Sequence, residues 1–262
     1  RDNDFLVGVS FDGSRRIHDA LRHGESGSRT ADRVMETIRL LEKENVKFNV
    51  LIVVTKLVAD NIESVWKYLL DRRIYFQQYI PCMDPIEGSG KDYSISSDDY
   101  RMFLTKLFDL WFDAFTHGLY VSVRHFDNYV SMLMGAEPEA CDMAGHCSIQ
   151  YVAESNGDIY PCDFYCMDGY RLGNINSEGF SVIDQRRLSL GFIESSFAIP
   201  EECSSCDAFI LCRGGCRRFR DSGGRYRFCS AMKAFYEYAF PGFLRVSEAI
   251  LRDQMGRIKE CR

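Results

Sequence analysis

Between Cys203 and Cys216 the chain reads CSSCDAFILCRGGC, four cysteines in fourteen residues with gaps of two, five and three. No other stretch limits the fold so strongly, because thiols this dense are bonded to one another or to metal. A disulfide staple, a zinc knuckle and an iron–sulfur cradle all use such spacing. The choice turns on where the other cysteines lie.

Of eleven cysteines, only Cys82 precedes residue 141, and nine fall between 141 and 229. That shift in composition divides the chain into 1–136 and 137–262. No export signal opens the sequence, so a reducing, cytoplasmic setting is expected, where thiol-rich chains hold metal more often than disulfides. No run approaches the eighteen apolar residues of a membrane span, so no membrane partner is expected. A net charge of −6 offers no basic track for nucleic acid. The one basic cluster, Arg213, Arg217, Arg218 and Arg220, lies inside the cysteine region and reads as company for an anionic thiolate centre. The chain also starts at Arg1 and enters the apolar run FLVGVS almost at once. Sequence preceding it is therefore expected.

Residues 1–136 alternate strand and helix patterns. FLVGVS (5–10) and KFNVLIVV (47–54) read as strands buried on both faces. IYFQQYI (74–80) is a third strand and LYVSVR (119–124) a short last one. Between them, Val34, Ile38 and Leu41 mark a helix over 30–43, and Asp60 with Glu63 reads as a capping box before Ile62, Val65, Trp66 and Leu69. A loop with Pro85, Gly88 and Gly90 leads to a long helix over about 97–117. Alternation of this kind gives an α/β fold with a parallel sheet, equivalent to half of a six- or eight-unit barrel.

Ligands of parallel sheets bind beyond the carboxyl ends of the strands. Ser10 ends the first strand, followed by Asp12 and Gly13, which also read simply as a tight turn. Thr55 ends the second and reads as a helix cap. Met83 follows the third, where a thioether commonly packs. His18 and Arg22 share a helix face that solvent alone would explain.

In the second half, YVAESNGDIYP (151–161) reads as a hairpin around Asn156-Gly157, with Cys147 and Cys162 at its ends. Zinc ribbons pair two C-x2-C knuckles, and only Cys203–Cys206 has that spacing. Two structural zincs held by eight thiolates remain an alternative. Irregular gaps and consecutive cysteines that serve different centres suit two [4Fe–4S] clusters.

The pattern C-x9-G-x4-C, then C-x2-C-x5-C-x3-C, then a last cysteine, resembles the SPASM domain of radical S-adenosylmethionine enzymes. Cys147, Gly157, Cys162, Cys203, Cys206, Cys212, Cys216 and Cys229 all stand in place. More narrowly, SFDG, IHDALR, QYIPCMDP, RHFDN, YPCDFY, CRGGCRRFRD and FYEYAFP resemble the anaerobic sulfatase-maturating enzymes, and these segments span nearly the whole chain.

The resemblance implies the C-terminal half of a partial (β/α)6 barrel over 1–136. An irregular SPASM domain with a β-hairpin and C-terminal helices would follow over 137–262. It implies oxidation of a cysteine or serine in a sulfatase polypeptide to Cα-formylglycine, begun by a 5′-deoxyadenosyl radical and fed by a reductant such as flavodoxin or ferredoxin. Cys141, Cys147, Cys162 and Cys216 would hold one auxiliary [4Fe–4S] cluster; Cys203, Cys206, Cys212 and Cys229 would hold the other. Asp163, directly after Cys162, would be the general base, in keeping with the way partial burial beside an anionic centre strengthens a carboxylate as a base. Ser10 would contact S-adenosylmethionine, as would Arg22 and Met83. Cys82, Cys166 and Cys261 fall outside the pattern: Cys82 reads as a buried apolar thiol, Cys166 as a bystander and Cys261 as incidental.

One departure matters. The C-x3-C-x2-C motif of the third, radical cluster occurs nowhere in the chain. These 262 residues by themselves are therefore expected not to cleave S-adenosylmethionine. Two other readings stay open: another SPASM peptide modifier, thioether-forming or epimerising, and a non-catalytic zinc-stapled module that grips a peptide.

Overall fold

The alternation of β-branched runs with amphipathic stretches builds a parallel sheet in the computed structural model, which describes residues 3–83 and 94–260. Cys261 and the loop containing Pro85, Gly88 and Gly90 lie outside those residues. Strands β1 (Val7–Ser10), β2 (Phe48–Val54), β3 (Phe76–Pro81) and β4 (Ser122–Val123) pair in that order, each parallel to the next. Val50, Ile52 and Val54 of β2 are fully buried. The connections carry α1 (Arg15–Leu21), α2 (Ala31–Lys43), α3 (Lys56–Asp60), α4 (Ile62–Leu70) and α5 (Ser97–Thr116), and α6 (Arg124–Leu133) follows β4.

Three local expectations need correction. FLVGVS is not buried on both faces: Phe5 and Leu6 are 70% and 64% exposed and precede the strand, and Gly8 and Ser10 are exposed too. β1 has a paired neighbour only on its β2 side among the described residues, so one side of it lacks cover. The capping box at Asp60 does not form, because Asp60 ends α3 and pairs with Lys56 Nζ at 3.0 Å. The box occurs instead at Ser96, whose Oγ accepts from Asp99 N at 3.1 Å while Asp99 Oδ2 accepts from Ser96 N at 3.2 Å. LYVSVR contributes only Ser122 and Val123 to the sheet, and Leu119 and Tyr120 are exposed.

The described chain divides into two compact units, and the second comprises 137–229. It contains α7 (Cys141–Ala144), the antiparallel strands β5 (Val152–Ala153), β6 (Asp158–Tyr160) and β7 (Gly173–Asn174), α8 (Phe180–Ser189) and α9 (Phe209–Cys212). The hairpin turns at Asn156-Gly157, where Gly157 has φ 88°. A side chain there would be strained, and its Cβ would meet Asn176 at 2.1 Å. Ile159, Leu172 and Ile183 form a small core under this sheet. Single helical turns and loops make up much of the remainder.

The last helix, α10 (Cys229–Glu260), groups from Ser230 onward with residues 1–136, not with the cysteine-rich residues before it. Aromatic packing explains this. Phe235 and Phe243 lie with ring centroids 5.0–6.2 Å from Phe108 and Phe126, each such pair worth about 0.5–1.5 kcal/mol beyond burial. Gly242 permits the approach, since a Cβ there would sit 2.4 Å from Phe108. No described helix is long and apolar enough to cross a membrane.

Candidate functional site

Parallel strands end on one edge of their sheet, and the residues that follow them share that edge. Ser10, exposed, closes β1. Thr55 follows β2 and caps α3, its Oγ1 accepting from Val58 N at 3.3 Å. Met83 lies two residues past β3 and is half-buried. Cys82 beside it is a buried thiol.

Arg22 is held at this edge by Asp12. Its Nε donates to Asp12 Oδ2 at 2.6 Å and an Nη to Oδ1 at 3.4 Å, and Asp12 is 1% exposed. Asp12 Oδ1 also accepts from Val53 N at 3.0 Å, which ties the loop after β1 to the end of β2. His18 is not a solvated residue of the helix face but is fully buried, stacked on Phe11. Its Nδ1 accepts from Asp12 N at 3.3 Å, leaving Nε2–H to donate to Thr30 Oγ1 at 3.0 Å. Burial lowers the His18 pKa, against the opposing pull of the Asp12 charge.

In the second unit all nine cysteines are free thiols. Eight of them sort into two fours by the repulsion each thiolate exerts on its neighbours. Cys141 is raised by burial and by Cys147; Cys216, by burial and by Asp142, Cys141 and Cys147, up to about 12. Burial pushes Cys162 up to about 12 as well, with Asp163 and Cys216 adding to it. The second four is linked in the same way. Burial, Cys229 and Cys206 raise Cys203, and burial with Cys229, Cys203 and Cys206 pushes Cys212 up to about 11. Cys166 stands apart: its thiol donates to Cys162 O at 3.7 Å, and its anionic neighbours are Glu154 and Asp163.

Asp163 opens a single helical turn after Cys162 and is exposed, so the partial burial expected to strengthen it as a base is not found. Its Oδ1 accepts from the Cys162 thiol at 3.3 Å and from Phe164 N at 3.1 Å. Among the described residues, no three His, Cys, Asp or Glu side chains meet closely enough to hold a single metal ion.

The SPASM iron–sulfur cluster-binding domain matches residues 141–207. The chain is 40% identical over 257 residues to the cysteine-type anaerobic sulfatase-maturating enzyme of Clostridium perfringens (strain 13 / Type A), covering 95% of this chain and 69% of that protein. It belongs to the anaerobic sulfatase-maturating enzymes. The corresponding enzyme of Clostridium novyi (strain NT) is 39% identical, with 90% of this chain and 65% of that protein covered. A serine-type enzyme of Bacteroides thetaiotaomicron is 30% identical, with 91% and 62% covered. The solved structure of native anSMEcpe with bound AdoMet and Cp18Cys peptide superposes with a TM-score of 0.88 at 39% identity, covering 95% of this chain and 71% of that one. The chain thus spans about two thirds of the length of its curated relatives.

For a member of this family, sequence reasoning missed two supports of the site. Asp12 was legible only as a turn residue, because nothing in a local Asp-Gly reveals a partner ten positions on. Arg220 stood in a basic cluster of four with no signal to separate it. In the structure Arg213 pairs with Glu137 and Arg217 donates to Phe192 O and Ser195 Oγ, while Arg220 donates to backbone carbonyls of the cysteine loops; the charges of Arg217 and Arg220 both favour the Cys147 thiolate.

Proposed function

We propose that the full-length protein to which this chain belongs is a radical S-adenosylmethionine maturase that oxidises a sulfatase residue to Cα-formylglycine. The observation that carries the proposal is the sorting of eight thiols into Cys141, Cys147, Cys162, Cys216 and Cys203, Cys206, Cys212, Cys229 within a chain of this family. All-sulfur donor sets suit iron–sulfur clusters. The match of residues 141–207 to an iron–sulfur cluster-binding domain favours two auxiliary [4Fe–4S] clusters over zinc.

When bound, S-adenosylmethionine and a radical cluster supply hydrogen-atom abstraction, and the auxiliary clusters supply electron transfer. The chain's own residues have narrower tasks. Ser10, Arg22 and Met83, at the carboxyl edge of the sheet, contact S-adenosylmethionine. Asp163 takes the proton that the substrate residue gives up as its side chain reaches the aldehyde oxidation state; its exposure leaves the carboxylate open to a peptide. The parallel sheet forms part of a (β/α)6 barrel. Higher identity to the cysteine-type relatives, 39–40% against 30%, supports a cysteine target. A flavodoxin or ferredoxin supplies electrons in the cytoplasm.

Anaerobic reconstitution of the chain with iron, sulfide and zinc all quantified tests the carrying observation. About eight irons with matching sulfide are expected for two cubanes, each held by four thiolates. About two zincs and no sulfide would replace the maturase with the zinc-stapled module. Incubation of the full-length protein with reductant, S-adenosylmethionine and a cysteine-containing sulfatase peptide then separates formylglycine from the thioether or epimer that another SPASM enzyme would make.

A further inference from the structure

Arg220 is half-buried, and every donor of its guanidinium is spent on backbone carbonyls. Nε donates to Gly214 O at 2.9 Å; Nη1 donates to Ser196 O at 2.6 Å and Ala198 O at 3.2 Å. Nη2 donates to Gly145 O at 2.6 Å and Gly215 O at 2.7 Å. No carboxylate pairs with it among the described residues.

The five carbonyls come from three loops, each leading to a thiol. Gly145 precedes Cys147 by two residues. Ser196 binds the backbone of Cys147, its Oγ accepting from Cys147 N at 2.8 Å. Gly214 and Gly215 bridge Cys212 and Cys216, one from each four. Gly145, Gly214 and Gly215 all have positive φ, at 77°, 83° and 60°. Side chains would not be tolerated: a Cβ at Gly145 would lie 2.0 Å from Arg213 O, and one at Gly215 would lie 2.7 Å from the Tyr226 ring. The loops therefore present their carbonyls in a conformation that glycine permits and one guanidinium fastens.

Charge points the same way. Burial makes the cation harder to hold, and the anions that favour it are Cys216 and Cys147 from one four and Cys203 and Cys212 from the other. With its donors saturated, Arg220 has no N–H left for sulfur. It acts on whatever the thiols hold through position and charge.

We propose that Arg220 is a positioning residue shared by both thiol quartets, fastening the loops that carry Cys147, Cys212 and Cys216 and setting the reduction potential of both bound centres. The second half rests on the iron–sulfur reading above. The first half does not.

Two variants divide the roles. Arg220→Lys keeps the charge but loses the planar five-donor fork, whereas Arg220→Gln loses both. In the metal-free protein, iodoacetamide labelling mapped by mass spectrometry should speed up at cysteines of both fours in Arg220→Lys, which loosens the loops yet keeps the charge that favours the reactive thiolates. Loss of buried, charge-assisted hydrogen bonds corresponds to about tenfold or more. In the anaerobically reconstituted protein, Arg220→Gln should lower the potential of both clusters, because a reduced cluster gains negative charge that the cation would stabilise. A tenfold change in the reduction equilibrium is about 59 mV for one electron. Arg220→Lys should stay near the wild-type potential. Labelling that is unchanged, or faster in one four alone, overturns the shared positioning role. Equal potentials in all three proteins overturn the electrostatic one. Should the wild type take up zinc instead, the cluster reading fails with its potentials, and labelling alone decides the role of Arg220.

Discussion

Ser196 Oγ accepts a hydrogen bond from the backbone N–H of Cys147 at 2.8 Å, across 49 residues of sequence. The hydroxyl is fully buried and itself donates to Ile193 O at 2.5 Å. Ser196→Ala leaves the Cys147 N–H of a crowded loop without its acceptor, while Ile193 O keeps the backbone N–H of residue 196 at 2.9 Å; one unpaired buried donor costs about 1–3 kcal/mol. A lower melting temperature is expected, with faster loss of metal from the four that contains Cys147 when a chelator is added. Unchanged melting and unchanged chelator kinetics would show that the bond is incidental.

Asp12 joins three elements through two oxygens. Replacing it with Ala removes the acceptor of Val53 N and strands a guanidinium that is 35% exposed. Breaking a buried charged pair on one side costs about 3–5 kcal/mol, and solvent access to Arg22 brings the expected loss to roughly 2–4 kcal/mol. Urea unfolding followed by circular dichroism measures it. Asp12→Asn retains one acceptor and should fall between Ala and wild type; an Asn variant as unstable as Ala would assign the effect to charge alone.

His18 gives the first unit a dependence on acid. Its ring is enclosed by Phe11, Asp12, Asp19, Arg22 and Thr30, and burial lowers its pKa below the ordinary 6.5. Between that lowered value and 6.5 the unfolded chain binds a proton that the folded chain refuses. Stability is therefore present in full above about pH 6.5 and declines as pH falls toward the lowered value. Protonation at Nδ1 would also end its acceptance from Asp12 N. His18→Gln should be less stable at pH 7.5 and should lack this decline. A wild-type stability flat between pH 7 and 5 would contradict the assignment.

Much of this was legible because it is periodic or counted. β2 and β3 declared themselves by apolar runs, and the seven cysteines of the pattern, Cys147 to Cys229, were found by spacing, with Cys141 added only by the resemblance. What escaped depends on contacts distant in sequence. FLVGVS looks like a doubly buried strand, yet burial on a second face requires a neighbour that the run itself cannot specify. Asp60 and Glu63 have capping-box spacing, but α3 had already claimed Asp60 as its last residue. FYEYAFP resembled its family without showing that its Phe235, and Phe243 two residues beyond it, would pack on Phe108. Arg220 differs from Arg213 and Arg217 in its partners, five backbone carbonyls where Arg213 meets a carboxylate and Arg217 a hydroxyl and one carbonyl, and nothing local in the sequence marks that difference.

Asp163 is the residue on which the chemical proposal is most exposed to test. In Asp163→Asn the side-chain oxygen can still accept from Phe164 N, as Oδ1 does at 3.1 Å, so the turn after Cys162 is expected to survive. What disappears is a carboxylate able to take a proton. In the full-length protein, general-base removal corresponds to a loss of about 10²–10⁴-fold in peptide oxidation. Iron content should equal that of the wild type, and 5′-deoxyadenosine should still form when S-adenosylmethionine and reductant are supplied. That combination separates a base from a structural residue, since a collapsed loop would lose iron along with activity. Wild-type oxidation by the Asn variant would remove Asp163 from the reaction and return the choice of base to the rest of the second unit.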